Sequence, residues 1–360
     1  MKRILYFGLM LALLLGVVGI GVAPVSAKSD DHPQTYTVIV GAESVSRAID
    51  IMSFFPATVH VHVGDTVRWK QNTFEIHTVT FLAGAPMPDL IVPAPSGQPS
   101  PLMLNPQVAF PVAPAGGLYD GSMYANSGIM SKSPGQPTSF ELTLTKEGTF
   151  KYICLVHGMM MSGEIIVEPV SAKIPSPSKV SAQARREIVK AWKNTPDIRR
   201  AVKAELQPDV HNPDGTTTHQ VLIGFSVGVY DFMRFFPSRV SVRPGDTVVW
   251  SLSKENAAPH TITFLNGTPD QPLVVPVPQP QGPPLLLFNP AILFPSPNAG
   301  QPLTNQGYFN SGLLNPGDPS TSSFSAKIGD VSGLLPYICL LHDESGMHGT
   351  LIVRSHSDKD

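Results

Sequence analysis

Tyr152-Ile153-Cys154-Leu155-Val156-His157, continued by Met161-Ser162-Gly163, returns later in the chain as Tyr337-Ile338-Cys339-Leu340-Leu341-His342 with Met347-His348-Gly349. The two cysteines of the 360-residue sequence occupy the same place in these two stretches. Upstream of each lies a matching histidine, His77 in His77-Thr78-Val79-Thr80-Phe81 and His260 in His260-Thr261-Ile262-Thr263-Phe264. His77 and His260 are 183 residues apart and Cys154 and Cys339 are 185 apart, so one period runs the length of each copy. Other landmarks keep that register: Asp50-Ile51-Met52 with Asp231-Phe232-Met233, Phe54-Phe55-Pro56 with Phe235-Phe236-Pro237, and Gly64-Asp65-Thr66-Val67 before Trp69 with Gly245-Asp246-Thr247-Val248 before Trp250. The chain is a duplicated domain.

Within each copy the local pattern is that of strands. Thr58-Val59-His60-Val61-His62-Val63 and Arg239-Val240-Ser241-Val242-Arg243 alternate apolar and polar residues, as a half-buried strand requires, and the Gly-Asp that follows turns into the next strand. Tyr36 to Val40, Phe140 to Leu144, Glu164 to Val167 and Thr350 to Val353 read as further short strands. The expected fold class is therefore all-β, two tandem β-sandwiches of about seven or eight strands each, with Trp69 and Trp250 in the cores. Between the upstream histidine and the cysteine each copy carries a proline-rich insertion, Pro86 to Pro114 and Pro269 to Pro302. Proline donates no ladder hydrogen bond, so these stretches read as long ordered loops, either roofing the His/Cys site or projecting into solvent. From about Val170 to Gln220 the period changes. Ala184, Ile188, Ala191 and Trp192 fall at helical spacing, and Thr195-Pro196 reads as the N-cap and first turn of a second helix bearing Ile198, Ala201, Val202 and Leu206.

The N-terminus has the three regions of a secretory signal: Met1-Lys2-Arg3, an apolar run from Ile4 to about Val22, and Val25-Ser26-Ala27. The expected organisation is a signal peptide over 1–27, a first domain over 34–169, a helical linker over 170–218, a second domain over 219–354 and a polar tail over 355–360. If left uncleaved, the apolar run would anchor the chain to a membrane; either way both domains are expected outside the cytoplasm, secreted, periplasmic or on the cell surface. Two cysteines in that compartment would ordinarily suggest a disulfide. A bridge leaves unexplained why a histidine and a methionine accompany each thiol. A net charge of −2 gives no reason to invoke nucleic acid.

A thiolate, two imidazoles and a thioether are the soft, mixed ligands of a copper site with a weak axial methionine. At these residues both repeats resemble the type 1 (blue) copper proteins of the cupredoxin family, the plastocyanin-like domains above all. The resemblance implies a Greek-key sandwich with one copper per domain, two per chain, held by His77, Cys154, His157 and Met161 in the first copy and by His260, Cys339, His342 and Met347 in the second. It also implies single-electron transfer between redox partner proteins, with His157 and His342 as exit points. The second copy keeps the family spacing throughout. The first has three residues between His157 and its methionine, which leaves Met159, Met160 and Met161 as axial candidates; Met161 is preferred because Ser162-Gly163 matches His348-Gly349. A second departure is the residue after the upstream histidine, often Asn in the family and here Thr78 or Thr261. The sequences beside the two exit histidines differ, Gly158-Met159-Met160 against Asp343-Glu344, which predicts different partners or faces for the two sites.

The rival readings are an enzyme and a copper carrier. Multicopper oxidases and copper nitrite reductases, also built from such domains, commonly hold a catalytic copper through histidines flanking the blue-copper cysteine. Here the flanks are Ile153 and Leu155, then Ile338 and Leu340. His60 and His62 share a strand face, but Ser241 and Arg243 replace them in the second copy, so a polar surface is the expected role. A carrier or storage role is suggested by the Met-rich loop beside His157; the repeated thiolate with two histidines favours redox service.

Overall fold

The computed structural model describes residues 33–256 and 258–355. The proposed signal peptide and residues 356–360 of the tail lie outside them. The architecture is all-β, two tandem cupredoxin-like sandwiches with a pair of helices between them in sequence.

In the first copy one layer contains Ile49–Phe55, Thr35–Glu43, Thr66–Gln71, Ser139–Leu144 and Leu118–Tyr119, in that spatial order. The facing layer runs Thr58–His62, Gly158–Glu168, Gly148–Cys154, Thr80–Phe81 and Ala125–Asn126. The second copy repeats both, with Tyr230–Phe236, Thr217–Val227, Thr247–Leu252 and Ser323–Lys327 facing Arg239–Val242, His348–Val353, Gly333–Ile338, Thr263–Phe264 and Phe309–Asn310. Alternation does what the sequence requires: Val59 and Val61 are buried while His60 and His62 stay half-exposed. Trp69 and Trp250 are fully buried, each edge-on to the tyrosine two residues before the cysteine, Tyr152 at 5.3 Å and Tyr337 at 5.6 Å.

The copies are fused rather than merely adjacent. Strand Ile49–Phe55 pairs antiparallel with Tyr230–Phe236, joining the two layers into one ten-stranded sheet. The register places Asp50 opposite its own equivalent Asp231, and Ile49 and Ile51 opposite Phe232 and Tyr230. Each copy thus presents the same edge to the other about a local two-fold axis, the geometry of an isologous dimer inside one chain.

The helices Pro177–Lys193 and Ile198–Glu205 cover the outer face of that sheet across the seam. Ala184, Ile188, Ala191 and Trp192 pack on Ile39, Ala42, Ile51 and Phe55 of the first copy and on Tyr230 of the second. Ile198, Ala201, Val202 and Leu206 pack on Leu222, Phe225 and Phe232. The helices fall where the spacing predicts, but the cap differs. The Thr195 hydroxyl donates back to Trp192 O (2.9 Å), closing the first helix, and Asp197 precedes the second without a side-chain cap bond.

The insertions are not loops throughout, which corrects the sequence expectation. Each forms a hairpin, Ile91–Pro93 with Leu102–Leu104 and Val274–Val277 with Leu285–Phe288, and the two hairpins join edge to edge into a four-stranded sheet. Within these four strands the only prolines are Pro93 and Pro276, both in outer strands, where no neighbour asks for their missing N–H. The proline-free inner strands meet through Met103 and Leu287, again equivalent positions. Among the described residues no helix is long and apolar enough to cross a membrane.

Candidate metal centres

Each centre is assembled from the facing layer. His77 precedes strand Thr80–Phe81, Cys154 ends strand Gly148–Cys154, and His157 sits in the turn before Gly158–Glu168. The Nδ1 atoms of His77 and His157 are 3.1 Å apart, and Cys154 Sγ is 3.9 Å from the first and 3.5 Å from the second. In the second copy the two Nδ1 atoms of His260 and His342 are again 3.1 Å apart, with Cys339 Sγ at 3.6 and 3.4 Å. Both thiols are free and fully buried, and no disulfide joins the copies.

The turn is fixed by the threonine after each upstream histidine. The Thr78 N–H donates to Cys154 Sγ (3.4 Å) while its hydroxyl accepts the Leu155 N–H (2.7 Å). Thr261 treats Cys339 and Leu340 the same way, at 3.4 and 2.9 Å. Threonine thus clasps the residue after the cysteine in both copies.

The methionines separate by burial. Met161 is 0% exposed and packs in the core with Cys154, whereas Met160 is 42% and Met159 70% exposed. Met347 is buried with Cys339 in the same way. Gly163 and Gly349 are required by their neighbours: a Cβ there would lie 2.5 Å from the Tyr152 ring and 2.1 Å from the Tyr337 ring, so the tyrosines demand glycine inside the strand.

Two glycines that sequence reasoning passed over matter more. Gly41 and Gly224 sit at left-handed backbone positions (φ 69° and 60°) where the register of their strands shifts. A Cβ at Gly41 would stand 2.9 Å from His77 Nε2, and one at Gly224 2.6 Å from His260 Nε2. A lone glycine inside a strand pattern is the signal that marks such a close approach.

Burial governs the charge states. It holds His77 down to about 3 against the pull of Glu43, and His342 down to about 4. His157 is held well below its ordinary value by burial, then by His77 and by His342 of the other copy; His260 is lowered by burial and His342. Burial raises the Cys154 thiol and pushes Cys339 up to about 11. The imidazoles are thus neutral, as metal ligation needs.

Outside the ligand ring the copies diverge. His77 Nε2 faces Asp50 Oδ2 at 3.6 Å, and His157 Nε2 faces Glu75 Oε1 at 3.8 Å. His260 Nε2 instead faces the amide oxygen of Asn256 at 3.2 Å. An Nε2–H aimed at such an oxygen leaves the Nδ1 lone pair pointing inward. With Nε2 protonated on both rings, the two Nδ1 lone pairs, 3.1 Å apart in each copy, turn toward the thiol and can be shared by one cation. The 3.1–3.9 Å separations suit three ligands around one ion at bond lengths of about 2.0–2.3 Å. The residues present therefore fit a soft metal ion in both copies.

The second centre lies against the first copy. The loop after His342 is held there by Arg47, whose guanidinium donates to Glu344 O (3.2 Å), and by Ser133, whose hydroxyl donates to the Glu344 carboxylate. His60 and His62 do not join either centre. His60 Nδ1 pairs with Glu168 (3.1 Å) and His62 Nε2 with Ala172 O (3.0 Å).

Residues 42–168 match the family model for copper binding proteins of the plastocyanin/azurin family. Among solved structures the chain is similar to an oxidized amicyanin variant at 22% identity, covering 37% of this chain and 82% of that one with a TM-score of 0.22. It is similar to oxidized plastocyanin from Dryopteris crassirhizoma at 20% identity, covering 38% of this chain and 99% of that one, also with a TM-score of 0.22.

Proposed function

We propose, from the premise that this is a cupredoxin-like copper-binding chain, that it carries two type 1 copper centres and moves single electrons between redox partner proteins outside the cytoplasm. The observation that carries this reading is the recurrence, in register, of two His/His/Cys triads, buried but for the half-buried His157, each with its cysteine in the same core cluster as a buried methionine. His77, Cys154, His157 and Met161 would hold one ion, and His260, Cys339, His342 and Met347 the other.

Bound there, copper would supply reversible one-electron exchange between Cu(I) and Cu(II). The chain's own contribution is rigidity. The threonine clasps fix the cysteine turn, and the tyrosine two residues before each cysteine is locked edge-on against a buried tryptophan, so the thiolate has little room to move as charge changes. The hydrophobic flanks serve the same end: Ile153 and Leu155 pack with Val108, Leu82 and Leu90, which places the first insertion over the cysteine turn. Those flanks leave no histidine beside the cysteine to hold a catalytic copper, which favours a carrier over an oxidase or nitrite reductase. The exposed Met159 and Met160 next to His157 offer an apolar surface for a partner, while the acidic loop after His342 rests on the first copy. Export is supported by the signal-like sequence of residues 1–27.

The test is a visible spectrum and a copper count on the Cu(II)-loaded chain. Two coppers with intense absorption near 600 nm, roughly the region of copper–thiolate charge transfer, are expected. Weak bands, or turnover of oxygen or nitrite, would replace this reading with a non-blue or catalytic site.

A further inference from the structure

The duplication supplies its own control, because every residue around one centre has a counterpart around the other. Asp50 corresponds to Asp231, Thr73 to Asn256 and Glu75 to Ala258. In the first copy the remote nitrogens of both histidines face acidic side chains, His77 towards Asp50 at 3.6 Å and His157 towards Glu75 at 3.8 Å. In the second copy neither contact survives. Asn256 reaches His260 Nε2 at 3.2 Å, and the Asp231 carboxylate is turned away to accept from the Ser226 hydroxyl at 3.0 Å. At the position of Glu75 there is only Ala258.

Asp50 is 1% exposed and neither of its oxygens has a hydrogen-bond partner among the described residues, as is also true of His77 Nε2. Asp231 faces it across the seam, so the acidity around the first centre is concentrated at the local axis, and among the described residues no buried lysine or arginine offsets it. A positive centre held by His77 and His157 is the counter-charge this arrangement lacks. Carboxyl partners behind metal-bound imidazoles make the ligands more basic and favour the more highly charged ion, whereas an amide does so less.

We propose that Asp50 and Glu75 are positioning residues that make the first centre the more weakly oxidising of the two, so that one electron added to the oxidised chain settles on the second centre. This rests on the reading of both sites as type 1 copper.

The test is spectroelectrochemical titration of the copper-loaded full chain in two single-centre forms, Cys339→Ser retaining the first centre and Cys154→Ser the second. The expected result is a lower midpoint potential for the first centre. Asp50→Asn and Glu75→Gln, each made in the Cys339→Ser chain, should raise it with the blue band retained. The reciprocal Asn256→Asp, made in the Cys154→Ser chain, should lower the potential of the second centre and serves if the Asp50 variant does not fold. Equal potentials, a first centre above the second, or no shift on any substitution would overturn the proposal while leaving the copper reading intact. Absence of the blue band from the unsubstituted chain would instead remove that reading itself.

Discussion

Glu75 shows how a single side chain can set the behaviour of the metal-free protein. Burial pushes its carboxyl up to about 8, with Asp50 and Asp231 adding to the effect, against an ordinary value of 4.5. Between those values the folded chain holds a proton that the unfolded chain has lost, so this contribution to stability is present at low pH and lost as pH rises through about 8. The depressed histidines work in the opposite sense, but their contribution is complete above about 6.5, where the unfolded imidazoles are already neutral. From about pH 6.5 to about pH 8 the melting temperature of the metal-free chain should therefore fall, and Glu75→Gln should make that fall shallower. A wild-type melting temperature that is flat or rising over this window would contradict the assignment. At this scale the sequence was most legible for the proposed ligands: a cysteine and two histidines repeated in register are the side chains that the fold brings within 4 Å of one another in both copies. It was least legible for the residues behind them. Asp50, Glu75, Asn256, Gly41 and Gly224 come from strands and turns remote in sequence from the cysteine motif, and only the fold brings them to the imidazoles.

Among the elements, the insertions teach most about reading proline. High proline content correctly argues against a regular internal ladder, yet it does not exclude strands whose outer edge needs no donor. Pro93 and Pro276 occupy such edges, and the inner strands Leu102–Leu104 and Leu285–Phe288 carry no proline at all. The distinction has a measurable consequence. Leu287→Pro would remove an N–H from an inner strand at the point where the two hairpins meet, at a cost of about 1–3 kcal/mol, seen as a lower melting temperature and faster proteolysis within the insertions. Unchanged cleavage would mean that the hairpin contact contributes little. The helices were legible from their 3.6-residue spacing, while the end of the first was not, because a threonine before proline can close one helix as readily as open the next.

The whole molecule differs from two beads on a string. Strands Ile49–Phe55 and Tyr230–Phe236 are central members of a shared sheet, and the helices between the copies in sequence lie across both. Separating the copies would expose Ile49, Ile51, Tyr230 and Phe232 together with two bare strand edges. Calorimetry on the metal-free chain should accordingly give one cooperative transition whose van't Hoff and calorimetric enthalpies agree. Two resolved transitions would show that the seam does not couple the copies. The duplication was plain in the sequence; the seam was not, since nothing in an alternating strand says which neighbour will cover its edge.

The local axis that passes between Asp50 and Asp231 and between Met103 and Leu287 carries a consequence for how the chain can change over time. Two separate identical subunits meeting this way would inherit every substitution on both sides at once, so an acid gained beside one metal would appear beside its twin. Covalent fusion lifts that constraint: Glu75 could arise opposite Ala258, and Asn256 opposite Thr73, without mirror images. Joining the copies end to end thus made heredity asymmetric while the architecture stayed paired.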